Sequence, residues 1–256
     1  MIATCARWSG TVGTFYMLSG MVGSRQGWQE AAYCPCPCGF AEVADSLAWI
    51  APSHGLERVA IVPGLSHQAD GVPDVMRGEE TQVFGALALL GLRDARLVLP
   101  GTHSKWVQVR DGRIEGFSTW MTGEVYALLR QHSILARTLP ESDGPLDTAA
   151  FLRGVDHARK CANLLHAAFG VRTLSLFDRM PAAALPSFLS GVLIGEELRS
   201  QAQDADSGAV VVIGAPALTL RYEIALDAFG ISARCVGSEA TWRGLWAIAR
   251  TLEPQP

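Results

Sequence analysis

The chain has 256 residues, with 21 Lys plus Arg against 25 Asp plus Glu, a formal net charge of −4, and 49% hydrophobic residues. That length and apolar content can fill one large or two modest cores, which excludes a miniprotein held together by disulfide staples. The mildly acidic balance, with no basic run, argues against nucleic acid as a partner, and no apolar stretch reaches the roughly 20 residues of a bilayer span, so no membrane partner is expected either.

At the amino end, residues 1–16 lack the basic start and continuous apolar run of a secretory signal, so the cytoplasm is the expected compartment. Phe15 to Met21 and Arg58 to Pro63 read as short strands, ended by Gly20-Met21-Val22-Gly23 and by Pro63-Gly64. Between them, the apolar spacing of Phe40 to Ala51 predicts a helix. Cys34-Pro35-Cys36-Pro37-Cys38 looks like a metal motif but lacks a separated second pair of ligands. Its alternating prolines favour an extended segment, and no metal ligand is assigned there. Without an export signal the six cysteines, Cys5, Cys34, Cys36, Cys38, Cys161 and Cys235, are expected as reduced thiols. A polar loop, His67 to Asp74, then leads through Arg77-Gly78-Glu79-Glu80-Thr81 into an Ala/Leu-rich helix, Gln82 to Leu92.

From residue 95 the pattern changes. Ala95 to Leu99, Trp106 to Arg110 and Ile114 to Met121 read as three antiparallel strands, the last two joined at an Asp111-Gly112 turn. Thr122-Gly123-Glu124 opens a helix through Leu129, and Pro140 to Pro145 reads as a surface connection. Helices follow near Ala149 to Ala168 and Leu185 to Gln201. A strand at Val210 to Ile213, a helix at Leu218 to Phe229, a strand at Ala233 to Val236 and a helix at Glu239 to Thr251 complete a mixed α/β pattern. Residues 1–94 repeat only the back half of that pattern, which places a domain boundary near 94.

Four places carry candidate chemistry. Pro100-Gly101-Thr102-His103-Ser104-Lys105-Trp106 joins two strands with glycine, hydroxyls and a lysine, the donors and charge a phosphate needs; it lacks the Walker A spacing. The same residues also suit an ordinary hairpin whose hydroxyls satisfy local backbone groups. At Asp74 to Gln82, Arg77 could fork onto a carboxylate while Glu79 or Glu80 accepts hydroxyl hydrogen bonds or a proton, although acids in a first helical turn also answer the helix dipole. The buried strand ending in Gly214-Ala215-Pro216-Ala217-Leu218, followed by Arg221 and Tyr222, would let a ligand approach the strand's carboxyl end, or would serve packing alone. Thr122-Gly123-Glu124 combines a hydroxyl and a carboxylate, or forms a plain helix cap. His54, His67, His103, His132, His157 and His166 show no zinc-hydrolase spacing, and no G-x-S-x-G element is present.

Longer strings carry a resemblance. Ser-Gly-Met-Val-Gly-Ser at 19–24, Gly27-Trp28, Val-Met-Arg-Gly-Glu-Glu-Thr-Gln at 75–82, Pro-Gly-Thr-His-Ser-Lys-Trp at 100–106, Thr-Gly-Glu at 122–124, Gln131-His132-Ser133 and Phe-Leu-Ser-Gly-Val-Leu-Ile-Gly at 188–195 make the chain resemble 2-dehydro-3-deoxygalactonokinases. These are sugar-acid kinases of the actin-like ATPase superfamily. The resemblance implies an α/β, ribonuclease H-like two-domain fold with its first domain incomplete. Residues 1–94 would be a remnant of the sugar-acid-binding domain, and residues 95–256 would carry the phosphate and adenosine motifs.

It also implies ATP and Mg2+, with the γ-phosphoryl group passing to the 6-hydroxyl of 2-dehydro-3-deoxy-D-galactonate. Gly101, Thr102, His103, Ser104 and Lys105 would contact phosphate, and Gly214, Ala215 and Leu218 adenosine. Ser24, Trp28, Arg77, Glu79 and Gln82 would bind the sugar acid, and Glu80 or Glu124 would act as the catalytic carboxylate. Family members begin with an Asp-x-Gly-Thr/Ser phosphate loop, which this chain is expected to start after; Trp8-Ser9-Gly10-Thr11 has no Asp before its glycine. The second expectation is therefore a truncated, non-catalytic remnant that only binds nucleotide or sugar acid. Its two-stranded first sheet would have exposed edges that favour pairing as a homodimer.

Overall fold

The computed structural model describes residues 14–52, 56, 58–161, 163–201 and 208–252; Cys5, His54 and the 8–11 stretch lie outside these described residues. The described chain forms two compact units. The first comprises the residues up to Leu97, Trp106–Ser118 and the residues from Val236 on; the second comprises Val98–Lys105 and Thr119–Cys235.

In the first unit, β1 (Phe15–Leu18) runs parallel to β4 (Arg58–Ile61), and β3 (Ala48–Ile50) pairs antiparallel on the other side of β4. The helix expected over 40–51 is therefore wrong in its second half: α1 (Phe40–Asp45) stops at Ser46 and the chain turns into a strand. Cross-strand partners outweigh helical spacing here, because Trp49 stacks on Phe15 at 5.5 Å and Ile50 packs beside Tyr16, Leu56 and Val59. The expected pair of strands is accordingly a three-stranded sheet with β4 at its centre.

The polar loop expected at His67 to Asp74 is also corrected. It is a hairpin, β5 (Gly64–Ala69) and β6 (Val72–Met76), turned at Asp70-Gly71 with φ of 53° and 81°. Two consecutive positive φ values make the tight turn that matches strand twist, and an Asp-Gly pair tolerates them. β2 (Tyr33–Pro35), from the cysteine segment, lies parallel to β5. Cys34, Cys36, Cys38, Cys161 and Cys235 are free thiols.

α2 (Glu79–Leu90) crosses α8 (Glu239–Arg250) at two glycines. A Cβ on Gly85 would lie 1.7 Å from the Ala240 carbonyl oxygen, and one on Gly244 would lie 1.9 Å from that of Thr81. Only glycine permits so close a crossing.

A five-stranded sheet has the order β11 (Ala233–Val236), β10 (Val210–Ile213), β7 (Ala95–Leu99), β8 (Ser104–Arg110) and β9 (Arg113–Trp120). The second unit adds α3 (Thr122–His132), α4 (Thr148–Cys161), α5 (Leu164–Leu176), α6 (Leu185–Gln201) and α7 (Pro216–Ala228). α6 is buried along most of its length, and its Phe188, Leu189 and Val192 anchor a core with Leu135 and Val171. The single helix expected near 149–168 is two helices, because the Asn163 side chain accepts the His166 backbone N–H and caps a new start at α5. Among the described residues no helix is long and apolar enough to cross a membrane.

Candidate active site

Within the second unit, the 100–103 turn between β7 and β8 lies against the start of α3. The Glu124 backbone N–H donates to the Thr102 carbonyl at 3.0 Å, and His103 Nε2 meets Glu124 Oε2 at 2.5 Å. A Cβ at Gly123 would sit 2.4 Å from the Gly101 oxygen, so glycine is what lets the two backbones touch. The hairpin and the Thr-Gly-Glu turn, separate candidates in the sequence, are thus one feature. Gly101 is half-buried, while Thr102 and His103 are exposed.

Ser104 and Lys105 point the other way, into the unit. The Lys105 ammonium donates to Thr119 Oγ1 at 2.7 Å. Ser104 is fully buried and donates to Glu197 Oε1 at 2.7 Å. The Tyr222 hydroxyl donates to Glu197 Oε2 at 2.8 Å and reaches Ser104 Oγ at 3.3 Å, while the Thr122 hydroxyl donates to Glu197 Oε2. Burial, and then the Glu197 charge, push the Tyr222 phenol well above its ordinary range.

Beside this network is a cavity of about 240 Å³. Leu193, Ile194, Ala217 and Leu218 give it an apolar wall, and Pro100, Gly101, Thr122 and Gly123 connect it to the hairpin. Its polar side chains are Thr122, Tyr126, Asp143, Ser190, Arg221 and Tyr222, with Arg221 Nη1 donating to Ser190 Oγ at 2.9 Å. Such a lining, mostly apolar with a few fixed polar groups, suits a flat heterocycle bearing hydroxyls. Gly214 and Ala215 precede the proline that opens α7, and Leu218 brings that helix to the cavity wall. Arg130 holds the 140–143 connection in place, pairing with Asp143 and donating to the carbonyls of Pro140 at 2.9 Å and Glu141 at 3.0 Å.

In the first unit the 77–82 junction is built around a tight turn. Gly78 has φ of 106° and Gly20 has φ of 89°, and a Cβ on Gly78 would lie 3.1 Å from the Gly20 Cα. The Gly78 backbone N–H donates to Glu80 Oε2 at 2.7 Å, and the Thr81 hydroxyl to Glu80 Oε1 at 3.0 Å. The Ser19 hydroxyl also reaches Glu80 Oε1, at 3.4 Å. Glu80 is fully buried, and burial, only partly offset by these donors, pushes its carboxyl up to about 7. Glu79 accepts the Arg77 backbone N–H at 2.9 Å, and Gln82 is half-buried on the next turn.

The Arg77 guanidinium stacks on the Tyr33 ring at 4.3 Å and donates from Nη2 to the Ala31 carbonyl at 2.8 Å. Among the described residues, its Nε and Nη1 are buried without a hydrogen-bond partner, as is the Ser24 hydroxyl. A Cβ on Gly23 would be 3.1 Å from Nη1, which puts the 21–24 loop directly on the guanidinium. Unpartnered buried donors on an arginine are an unmet demand for an acceptor, and a carboxylate is one group of that kind. The Trp28 ring packs instead against Tyr16, Leu56 and Val59, while its backbone N–H donates to the Val22 carbonyl at 2.8 Å and shapes the loop.

Sequence reasoning did not reach Glu197, Tyr126 or Asp143. Glu197 carried only a weak signal, one of two adjacent acids, Glu196 and Glu197, that follow an apolar stretch of a buried helix; Asp143 sat in a connection with no pattern at all.

A family model described as 2-keto-3-deoxy-galactonokinase matches residues 1–248. A Rhizobium meliloti (strain 1021) protein provisionally named 2-dehydro-3-deoxygalactonokinase is 40% identical over 245 residues, covering 93% of this chain and 78% of the relative. The 2-dehydro-3-deoxygalactonokinase of Escherichia coli K12 is 34% identical over 238 residues, covering 92% and 78%. A crystal structure from Sinorhizobium meliloti, provisionally assigned the same activity, superposes with a TM-score of 0.90 at 38% identity, over 99% of this chain and 85% of that one.

Proposed function

The chain belongs to the 2-keto-3-deoxy-galactonokinase family, and we propose that it transfers the γ-phosphoryl group of ATP to the 6-hydroxyl of 2-dehydro-3-deoxy-D-galactonate on an actin-like fold. It is a sugar-acid kinase, and the non-catalytic alternative is the less favoured reading. The observation that carries the site assignment is the seating of the 100–103 hairpin on Thr122-Gly123-Glu124 at the mouth of a largely apolar cavity.

In this reading the nucleotide belongs to residues 95–256 and the sugar acid to residues 1–94. The adenine and ribose lie in the cavity against Leu218, with Gly214 and Ala215 shaping the approach. Gly101, Thr102 and His103 face the phosphates, with Ser104 and Lys105 holding the hairpin from below. Phosphoryl transfer needs mainly positioning and charge stabilisation, which an ordered hairpin supplies. Among the described residues no group of three or more His, Cys, Asp or Glu could hold a metal ion. A Mg2+ carried by ATP keeps several waters and is held chiefly by the phosphates, so it would need no dedicated protein cage. When bound, the ion would supply positive charge that offsets the charge of the phosphates.

Arg77 and Ser24 offer their orphaned donors to the substrate carboxylate. Glu79, Gln82 and Trp28 fix the junction and loop around it. Of the two catalytic candidates, Glu124 is the half-exposed carboxylate and keeps the proton-acceptor role, whereas Glu80 holds the Gly78 turn from beneath. The compartment is read as cytoplasmic, and a homodimer is proposed through an edge of the β1-β4-β3 sheet that no other described strand covers.

The test is ADP release by the purified chain with ATP, magnesium and 2-dehydro-3-deoxy-D-galactonate, set against the gluconate epimer. Magnesium-dependent turnover is expected. Replacing Arg77 with Met should raise KM for the sugar acid by about tenfold or more while leaving KM for ATP unchanged, the cost of removing a charged partner from a carboxylate. Nucleotide binding without ADP release from folded protein would establish the non-catalytic reading instead.

A further inference from the structure

We propose that Glu197 is a positioning residue for nucleotide binding, tying together the three elements that form the mouth of the cavity. The inference rests on the kinase reading above. Glu197 lies on α6, buried, and accepts hydroxyl hydrogen bonds from Ser104 on the hairpin, Thr122 at the start of α3 and Tyr222 on α7. These elements are distant in sequence and touch the cavity through Gly101, Thr122, Gly123, Leu218 and Tyr222.

A carboxylate is suited to this task because it is acceptor-only and offers about four lone-pair sites, so it can hold three donors at once. Hydrogen bonds to an ionised acceptor are shorter and roughly twice as strong as neutral ones, and in a buried network each partner fixes the others. The hairpin's exposed Thr102 and His103 are then aimed by a group that never meets the nucleotide. Gly123 supports the same geometry from the other side, since its missing side chain allows α3 to touch the Gly101 carbonyl. Neither contact would hold the hairpin alone: Gly123 allows approach and Glu197 fixes it.

Two variants of the full chain test this. Glu197→Gln keeps the shape and one acceptor oxygen but loses the charge, and its amide group can still hydrogen-bond a reoriented hydroxyl. Tyr222→Phe removes only one donor. Binding of magnesium ATP is measured by calorimetry, alongside thermal unfolding and the KM for each substrate.

Glu197→Gln is expected to weaken ATP binding by about tenfold or more, the equivalent of one charge-assisted hydrogen bond, while KM for the sugar acid stays unchanged. Tyr222→Phe should weaken it less. Glu197→Asp, with its carboxylate drawn back by one methylene, should fold but not restore affinity. An unchanged ATP affinity in Glu197→Gln overturns the proposal, and so does an equal loss for both substrates together with a lowered melting temperature, which would mark a purely structural role. Wild-type protein that fails to bind ATP sinks the kinase reading itself, a result separate from wild-type binding with an unimpaired variant.

Discussion

Glu80 shows how one side chain can be expensive and still retained. Its carboxyl is fully buried and raised to about 7 against an ordinary 4.5, so the folded protein holds a proton that the unfolded chain has already released. Below about pH 4.5 Glu80 is protonated in both states and its contribution to stability is fully present. As pH rises towards about 7 that contribution is lost, on the order of 3 kcal/mol over the window. Glu80→Gln should therefore flatten the fall in stability between about pH 5 and pH 7, measured as denaturant midpoints, while still accepting the Gly78 N–H through its amide oxygen. A variant with the same pH slope as wild type would mean that Glu80 is not the titrating group. The Gly78 turn gives the reason for keeping a carboxyl there: a glycine at φ of 106° leaves an N–H in the interior that needs an acceptor.

At the scale of elements, two glycine contacts of similar tightness have different consequences. Gly244→Ala on α8 would drive a Cβ into the Thr81 carbonyl at 1.9 Å, and the helix pair must separate. A stability loss of about 1–3 kcal/mol is expected, with KM values unchanged in the fraction that remains folded. Gly123→Ala meets the Gly101 oxygen at 2.4 Å, so the hairpin itself must move. There KM for ATP should rise more than stability falls, a split read from melting curves and initial rates on the same preparation. Equal behaviour of the two variants would refute the special place given to the hairpin. The same contrast explains what was legible in advance. The apolar run Val210–Ile213 and the largely apolar first part of Leu185–Gln201 announced their elements because burial on all sides needs no partner to be named. β3, β5 and β6 did not: Trp49 and Ile50 become a strand only because β4 accepts them, and His67–Asp74 reads as polar loop until an Asp-Gly turn folds it back on itself. The site divides the same way. Arg77 and the Gly101–Lys105 turn were visible as local chemistry, whereas Glu197 gains its meaning from Ser104, Thr122 and Tyr222, residues far off in sequence.

For the whole molecule, the two units carry separate chemical demands, an apolar cavity with an ordered hairpin in one and a partly unsatisfied guanidinium in the other. Each ligand should therefore leave its own imprint on backbone hydrogen exchange. Magnesium ATP is expected to slow exchange at 101–104, 122–126 and 216–222, where a nucleotide bound as proposed would restrain the hairpin and the starts of α3 and α7. The sugar acid is expected to protect 21–28 and 77–82, where it would satisfy Arg77 Nε, Arg77 Nη1 and the Ser24 hydroxyl. A ligand slows exchange only where it opposes local opening, so the pattern reports location independently of turnover. Protection at 77–82 by ATP alone, with none at 101–104, would reverse the assignment of the two sites. Arg77→Met sharpens the test further. On the proposed assignment it should erase the sugar-acid imprint and leave the ATP imprint whole, because the carboxylate would be held by these donors and not by the surrounding loop.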